Sequence, residues 1–282
     1  MKIYKKAPLP FNGQKKNWIK TFIPIISDMN HDIYVDLFGG SGLLSHTIKA
    51  LKPNAKVIYN DFDNYSERLR NIGKTNILIS DLRKITANIQ KEKIILGEAR
   101  DRILERIEKE EYVDWDTVSA SLLFTGNIAR SVEDLKKGRL YNNISQSNYE
   151  SEGYLLGVET VRMDYVDLFE HYKNERAMFI VDPPYMFTDN SRYNNKKYWK
   201  IKDYLNIVKI LQDIDFIYFT SEKSQILELC DFIETEFQSK NIFSLCKKKE
   251  ITTMANLNAS YKEMILYKIN DENTNNLFLK FF

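Results

Sequence analysis

An aspartate, two prolines and a tyrosine follow one another at Asp182-Pro183-Pro184-Tyr185, directly after the apolar run 178–181. An apolar run that is cut off by two prolines predicts a buried strand ending at an exposed edge. At such an edge the carboxylate and a prolyl carbonyl can accept N–H bonds from a planar amine, and the tyrosine ring can stack on it. We therefore predict that these four residues are catalytic and hold an amino group on a flat ring.

A glycine turn lies upstream, where the β-prone run 33–38 stops at Gly39-Gly40-Ser41-Gly42. A helical pattern over 43–51 and a second strand over 56–61 follow, which is the first half of a nucleotide-binding βαβ unit. Glycines let the backbone approach a ligand closely, and the next helix offers free N–H groups to a carboxylate. The GxGxxG pattern is incomplete, which favours a nucleoside ligand over a dinucleotide, and the motif alone is also compatible with an ordinary turn.

Acidic residues come at the ends of two further predicted strands. Asp61 stands where a carboxylate can accept hydrogen bonds from two ribose hydroxyls. Asp164 could accept from an adenine amino group while the neighbouring Tyr165 packs on the base. Each acid taken alone is equally compatible with a surface position at a strand end.

The element pattern predicts one α/β sheet interrupted by a helical insertion. We assign residues 1–65 and 158–270 to the sheet domain, 66–157 to the insertion and 271–282 to a C-terminal tail. Residues 64–130 are predicted to be almost wholly helical and residues 131–153 to be loop-like. The other predicted elements are a helix from near Trp18, strands over 158–163, 177–181, 216–220 and 264–269, and a helix over 203–212.

Composition narrows the class of protein. The chain has 282 residues, a formal net charge of +2 and only two cysteines, Cys230 and Cys246, without a Cys/His cluster. We expect no structural zinc or other metal, no disulfide framework and no membrane span, and hence a cytoplasmic location. Two basic segments, 1–20 and 192–202, nevertheless flank the candidate site and favour a phosphate-bearing partner, and the second also contains Tyr193, Tyr198 and Trp199. The candidate DNA-contacting residues, from this second segment and from 136–139, are Lys136, Lys137, Arg139, Arg192, Tyr193, Lys196 and Lys197.

The motifs in their order resemble the Dam-type (alpha-group, D12 class) DNA adenine N6-methyltransferases. The chain reads FNGQK at 11–15, DLFGGSG at 36–42, ND at 60–61, Asp164, and then DPPY at 182–185. Gln14 and Leu37 depart from the family pattern, which usually has glycine and proline there. The resemblance implies a Rossmann-like S-adenosylmethionine-dependent sheet with a mainly helical target-recognition insertion. It also implies cofactor contacts by Phe11, Gly13, Lys15, Asp36, Phe38, Gly40, Gly42, Asp61, Asp164 and Tyr165.

By this resemblance the chain would methylate N6 of a flipped-out adenine in double-stranded DNA, with the tetrad holding the adenine. The polar segment 142–148 could read base edges, or it could be an ordinary surface loop. Methylation of cytosine N4, of RNA adenine or of a protein glutamine, and a catalytically silent DNA-binding protein of the same fold, stay open. So do a cognate restriction endonuclease as a partner, a monomeric or weakly dimeric state, and the recognition sequence.

Overall fold

The computed structural model of the protein describes residues 2–186, 199–256 and 259–269, without the side chains of residues 255, 256 and 259. The strands in this part of the chain are β1 Ile33–Asp36, β2 Lys56–Asn60, β3 Ile94–Ile95, β4 Leu140–Tyr141, β5 Glu159–Val161, β6 Ala177–Val181, β7 Asp215–Ser221, β8 Lys247–Asn256 and β9 Ala259–Lys268. The helices are a 3₁₀ turn Lys16–Trp18, α1 Ile19–Ser27, α2 Leu43–Leu51, α3 Tyr65–Arg70, α4 Ile72–Ile85, α5 Gly97–Glu108, α6 Trp115–Leu122, α7 Val132–Lys137, α8 Tyr165–Tyr172, α9 Ile201–Ile210 and α10 Ile226–Phe237.

These elements form two compact units. The first contains residues 2–5, Lys15–Asp63 and the chain from Leu155 onward. The second contains Lys6–Gln14 and Asn64–Tyr154, so that it interrupts the first unit between β2 and β5 along the chain.

The first unit is a Rossmann-like α/β sheet with the strand order β5-β2-β1-β6-β7-β9-β8. The strands from β5 to β7 are parallel, and β9 and β8 add an antiparallel edge. Every residue of β6 is buried, as expected for a central strand that is covered on both faces. Since β2 and β6 lie on opposite sides of β1, the chain reverses its direction of winding there, and ligands of open α/β sheets bind at such a switch point.

The second unit is mainly helical and has a core of its own. Its helices α4 and α5 contribute Leu78, Ile79, Ile103 and Ile107, each 2% exposed or less. The strands β3 and β4 pair as a two-stranded antiparallel sheet and contribute the buried Ile95 and Leu140 to this core. A compact apolar core accounts for the helical periodicity that is visible in the sequence.

Several predicted elements are confirmed, and two predictions about the insertion are wrong. The helix over 43–51 and the strand over 177–181 have the predicted bounds. Residues 131–153 are not a loop throughout, because α7 begins after Ser131, whose hydroxyl accepts from the backbone N–H of Asp134 at 3.1 Å. The prediction that residues 64–130 are almost wholly helical is also wrong in part, because β3 lies between α4 and α5. Short elements in a polar context carry too little apolar periodicity to be recognised.

Candidate active site

The tetrad that follows β6 begins with a nearly buried carboxylate paired with a lysine. Nζ of Lys15 lies 2.6 Å from Oδ2 of Asp182, and the two side chains are only 11% and 16% exposed. Burial raises the pKa of Asp182 above its ordinary value of 3.8, and the lysine opposes this rise. The same ammonium lies 5.4 Å from the centre of the Tyr185 ring. The resemblance implied that Lys15 contacts the cofactor, but the structure places it on the predicted catalytic acid.

The glycine turn after β1 is closed by its own backbone and by a tyrosine from β2. The N–H of Gly42 donates to the carbonyl of Gly39 at 2.7 Å, and Gly40 and Gly42 have φ values of 51° and 74°. The Tyr59 hydroxyl donates to the carbonyl of Gly40 at 2.7 Å. A Cβ at Gly39 would lie 2.2 Å from the Tyr59 ring, so only glycine fits there without a shift. Sequence reasoning missed Tyr59, since no local signal distinguishes it from the other aromatic residues in strands.

Asp36, the last residue of β1, is a buried acid with an incomplete set of partners. The Ser45 hydroxyl donates to its Oδ2 at 2.7 Å, whereas Oδ1 has no donor in normal hydrogen-bond geometry among the residues that the structure describes, and the backbone N–H of Phe38 only helps to lower the pKa of the carboxyl group. Burial, together with the charge of Asp182, raises the pKa of Asp36 to about 7 in spite of the Ser45 hydrogen bond. A buried carboxyl oxygen without a donor is suited to a ligand that brings an N–H group or a positive charge.

Asp61 also lies at this edge of the sheet. It is 4% exposed, its backbone N–H donates to the carbonyl of Val161 at 2.8 Å, and its Oδ1 lies 2.9 Å from the oxygen of the Tyr59 hydroxyl. Tyr59 thus connects Asp61 to the glycine turn. This arrangement holds the carboxylate where sequence reasoning expected a ribose-binding acid.

Three aromatic side chains of the first unit pack against one another. The Phe38 ring is 5.1 Å from the Tyr165 ring and 5.6 Å from the Trp199 ring, and Tyr165 and Trp199 are stacked at 5.5 Å. Asp164 caps α8 by accepting from the N–H of Val166 at 2.9 Å. Phe38 and Tyr165 were predicted as cofactor contacts, whereas Trp199 was noted only as part of a basic stretch.

The side chain of Asn60 holds the ends of β1 and β5 together. Its amide nitrogen donates to the carbonyls of Leu37 and Met163, both at 3.0 Å, and its oxygen accepts from the N–H of Met163 at 3.1 Å. The side chain therefore fixes the backbone that leads to Phe38 on one side and to Asp164 on the other. Asn60 was visible in the sequence only as the neighbour of Asp61.

The predicted cofactor residues Phe11 and Gly13 belong to the second unit. The Phe11 ring meets the Tyr65 ring edge-on at 5.6 Å, and Gly13 has a φ of 80°. Gln14 stands where the family usually has glycine, and its side-chain oxygen accepts from the N–H of Ala7 at 3.0 Å. The Gln14 side chain thus connects the two ends of the segment 7–14. Cofactor contact by Phe11 and Gly13 stays a prediction.

The predicted DNA-contacting residues fall into two groups. Lys136 and Lys137 lie in the last turn of α7, where Nζ of Lys137 is 3.1 Å from Oδ1 of Asp134, and Arg139 follows this helix. Arg192, Tyr193, Lys196 and Lys197 lie outside the residues that the structure describes, as does the tail 271–282. In the polar segment 142–148, the side-chain amides of Asn142 and Asn143 donate to backbone carbonyls of the second unit. These two side chains therefore stabilise the fold of that unit.

The described part of the chain has neither a membrane-spanning helix nor a group of side chains that could bind a metal ion. None of its helices has the length and apolar character needed to cross a membrane. Residues 2–186, 199–256 and 259–269 also contain no group of three or more His, Cys, Asp or Glu side chains that could hold a metal ion.

Comparison with known proteins gives the chain its family. A protein of Haemophilus influenzae named "Putative methyltransferase" is 34% identical over 282 residues, which cover 95% of this chain and 93% of that protein. A solved rRNA methylase from Streptococcus thermophilus is 12% identical, with a TM-score of 0.33 over 89% of this chain and 97% of that one. Residues 11–254 match the family described as D12 class N6 adenine-specific DNA methyltransferase. The chain is a methyltransferase and belongs to the D12 class N6 adenine-specific DNA methyltransferase family.

Proposed function

We propose that the protein transfers a methyl group from S-adenosylmethionine to N6 of a flipped-out adenine in double-stranded DNA. The observation that carries the proposal is a pair of acids, the buried Asp36 and the largely shielded Asp182, at the carboxyl ends of the neighbouring strands β1 and β6. One acid is suited to a cationic cofactor and the other to the amine that receives the methyl group. Membership of the D12 family supports adenine as that amine.

The residues present fit S-adenosylmethionine. The unpartnered Oδ1 of Asp36 can accept from the ammonium group of the methionine moiety. The buried carboxylate of Asp61 can accept from the ribose hydroxyls, and the rings of Phe38 and Tyr165 offer an apolar surface for the adenine. When bound, the cofactor supplies an electrophilic methyl group on a sulfonium, so that the protein needs neither a metal nor a nucleophile of its own.

The task of the protein is to prepare and orient the target nitrogen. The N6 lone pair of adenine is delocalised into the ring, which makes the nitrogen a weak nucleophile. Hydrogen bonds from its N–H groups to the Asp182 carboxylate and the Pro183 carbonyl would pull the nitrogen toward tetrahedral geometry and free the lone pair. Tyr185 offers a ring on which the base can stack, worth about 1–3 kcal/mol. Catalysis is then mainly alignment, and Asp182 can take up the proton that N6 loses.

Duplex DNA has to release its base for this chemistry, because N6 of a stacked adenine cannot reach a methyl donor. Flipping the base costs a few kcal/mol, roughly what stacking and new hydrogen bonds can return. We propose residues 66–157 as the target-recognition insertion, with Lys136, Lys137 and Arg139 on phosphates. We also propose that Arg192, Tyr193, Lys196 and Lys197 contact the DNA backbone. Action on cellular DNA would place the protein in the cytoplasm.

The test is incubation with labelled S-adenosylmethionine and duplex DNA, followed by nucleoside analysis. We expect N6-methyladenine, and Asp182→Ala should abolish it while binding of S-adenosylhomocysteine persists. Asp61→Ala should instead weaken cofactor binding first. Methylcytosine, a labelled RNA or a labelled protein would each identify another acceptor, and the absence of any product would favour a silent DNA-binding protein.

A further inference from the structure

The predicted catalytic carboxylate already has a hydrogen-bond donor of its own. Nζ of Lys15 is 2.6 Å from Oδ2 of Asp182, and both side chains are largely shielded from water. The ammonium also lies 5.7 Å from the centre of the Phe219 ring, in addition to its contact with Tyr185. Two aromatic rings within 6 Å of the ammonium favour the charged form of the lysine.

We propose that Lys15 is a positioning residue that keeps Asp182 ionised and occupies its acceptor oxygen until the target amine takes that place. The inference rests on the proposed function, since it assigns the amine-accepting step to Asp182. An N–H group of Lys15 makes the same kind of hydrogen bond to Oδ2 that an N–H group of the target base would make. The lysine therefore keeps the carboxylate ionised and able to accept a hydrogen bond before the target base binds.

The charges around Asp182 show why a cation is needed there. In addition to burial, the charge of Glu263 on β9 raises the pKa of Asp182, and the charge of Asp182 raises the pKa of Asp36 at the end of β1. The indole N–H of Trp18 donates to Oε2 of Glu263 at 2.8 Å, and the Tyr261 hydroxyl donates to its Oε1 at 3.1 Å. Both donors are neutral, so they orient Glu263 without cancelling its charge.

Two tyrosines complete this environment. Tyr185 follows in the same tetrad, and Tyr218 lies on β7, where burial raises its pKa well above 10 and keeps the ring neutral. Neither tyrosine carries a positive charge that could offset the negative charges of the nearby acids. Among the charged groups that act on Asp182 in the described part of the chain, Lys15 is the one that lowers its pKa.

Removing the charge of Lys15 should therefore raise the pKa of Asp182. A protonated carboxyl group would present an O–H donor toward the amine and lose part of its accepting capacity. Lys15→Met keeps much of the side-chain length and removes the charge, and Lys15→Arg keeps the charge. Lys16→Met is the matched control, because Lys16 is the adjacent lysine and is exposed.

The experiment reads the titration of Asp182 directly. The protein is labelled with ¹³C at the aspartate carboxyl carbon, and the Asp182 signal is identified by its loss in Asp182→Asn. We expect Lys15→Met to raise the proton affinity of Asp182 by about tenfold or more, that is, by one pH unit in the titration midpoint. Lys15→Arg and Lys16→Met should titrate like the unmodified protein.

A Lys15→Met protein that titrates like the unmodified one would overturn the inference, and so would a tenfold loss of S-adenosylhomocysteine affinity without any change in titration. The second result would make Lys15 a cofactor contact. If Lys15→Met does not fold, the Nζ signal of ¹⁵N-lysine in the unmodified protein must shift as Asp182 titrates, and an unchanged signal refutes the contact. The titrations need no DNA, so a failure of the proposed function would appear separately, as the absence of methylated adenine.

Discussion

Replacing Asp36 by asparagine should make the fold more stable and the cofactor site worse. Asparagine keeps the shape of the side chain and can still accept the hydrogen bond from Ser45, which lies at 2.7 Å. It removes a charge that the buried site disfavours, because Oδ1 has no donor among the described residues. It also removes the anion that we propose to receive the ammonium group of S-adenosylmethionine.

The size of the effect follows from the pKa of Asp36, which burial and the charge of Asp182 raise from 3.8 to about 7. One pKa unit corresponds to ~1.4 kcal/mol, so ionising Asp36 costs up to about 4 kcal/mol more in the fold than in the unfolded chain. Because the folded pKa is raised, the protonated acid supports the fold below pH 3.8, and this support is lost as the pH rises through about 7. Relaxation and water entry reduce the cost, and we expect a gain of about 1–3 kcal/mol for Asp36→Asn at pH 8.

The assay is urea unfolding at pH 5.5 and pH 8, with S-adenosylhomocysteine affinity measured on the same samples. The advantage of Asp36→Asn over the unmodified protein should be larger at pH 8 than at pH 5.5, and ligand affinity should fall at least tenfold. Asp101 is an exposed acid on α5, and Asp101→Asn should change stability by less than about 0.5 kcal/mol. A variant that is less stable at pH 8, or a difference that does not depend on pH, would refute the reasoning.

Four further predictions test how the two units are built. Gly39→Ala should cost about 1–3 kcal/mol of unfolding free energy by urea titration, because the new Cβ would lie 2.2 Å from a buried tyrosine ring. Gly73→Ala has no heavy atom within 4 Å and lies in a helix, so it should stabilise by up to about 1 kcal/mol. Arg68→Met should cost about 3–5 kcal/mol in the same assay, because it leaves the 2%-exposed carboxylate of Asp114 without its partner, and adding Asp114→Asn should recover part of the loss. Burial lowers the pKa of His46 below 6.5, so stability should fall as the pH drops from 7.5 to 5.5, and His46→Gln should flatten this dependence.

The edge of the sheet could be predicted because strand ends leave a strong local signal. Asp36, Asp61 and Asp182 each follow an apolar β-prone run, and the carboxyl ends of parallel strands meet at one edge. Sequence reasoning therefore placed these acids on one sheet without knowing the strand order. The same argument gave the bounds of α2, which begins directly after the glycine turn.

The contacts that complete the site could not be predicted, since they join residues far apart in the chain. Residues 64–154 of the second unit lie between Lys15 and Asp182 in the chain, and a basic residue near the N-terminus resembles any surface lysine. Tyr59 closes the glycine turn only because β1 and β2 are paired in the register Asp36↔Tyr59. Register is set by the whole sheet, so a single strand sequence does not reveal which side chain will meet the loop.

The charges at this edge of the sheet connect its stability to its chemistry. Asp36 ends β1 and Asp182 follows the adjacent strand β6, so the ionised form of each acid raises the free energy of the other. The Ser45 hydroxyl stabilises ionised Asp36 and the Lys15 ammonium stabilises ionised Asp182, but only in part. A core of this kind would be more stable with neutral side chains, since buried charges rarely gain back their full desolvation cost. Both proposed ligands bring what the site lacks, because the cofactor carries positive charge and the target amine carries N–H donors. The free energy by which these two acids destabilise the fold therefore favours the binding of a cationic methyl donor and an amine acceptor in one place.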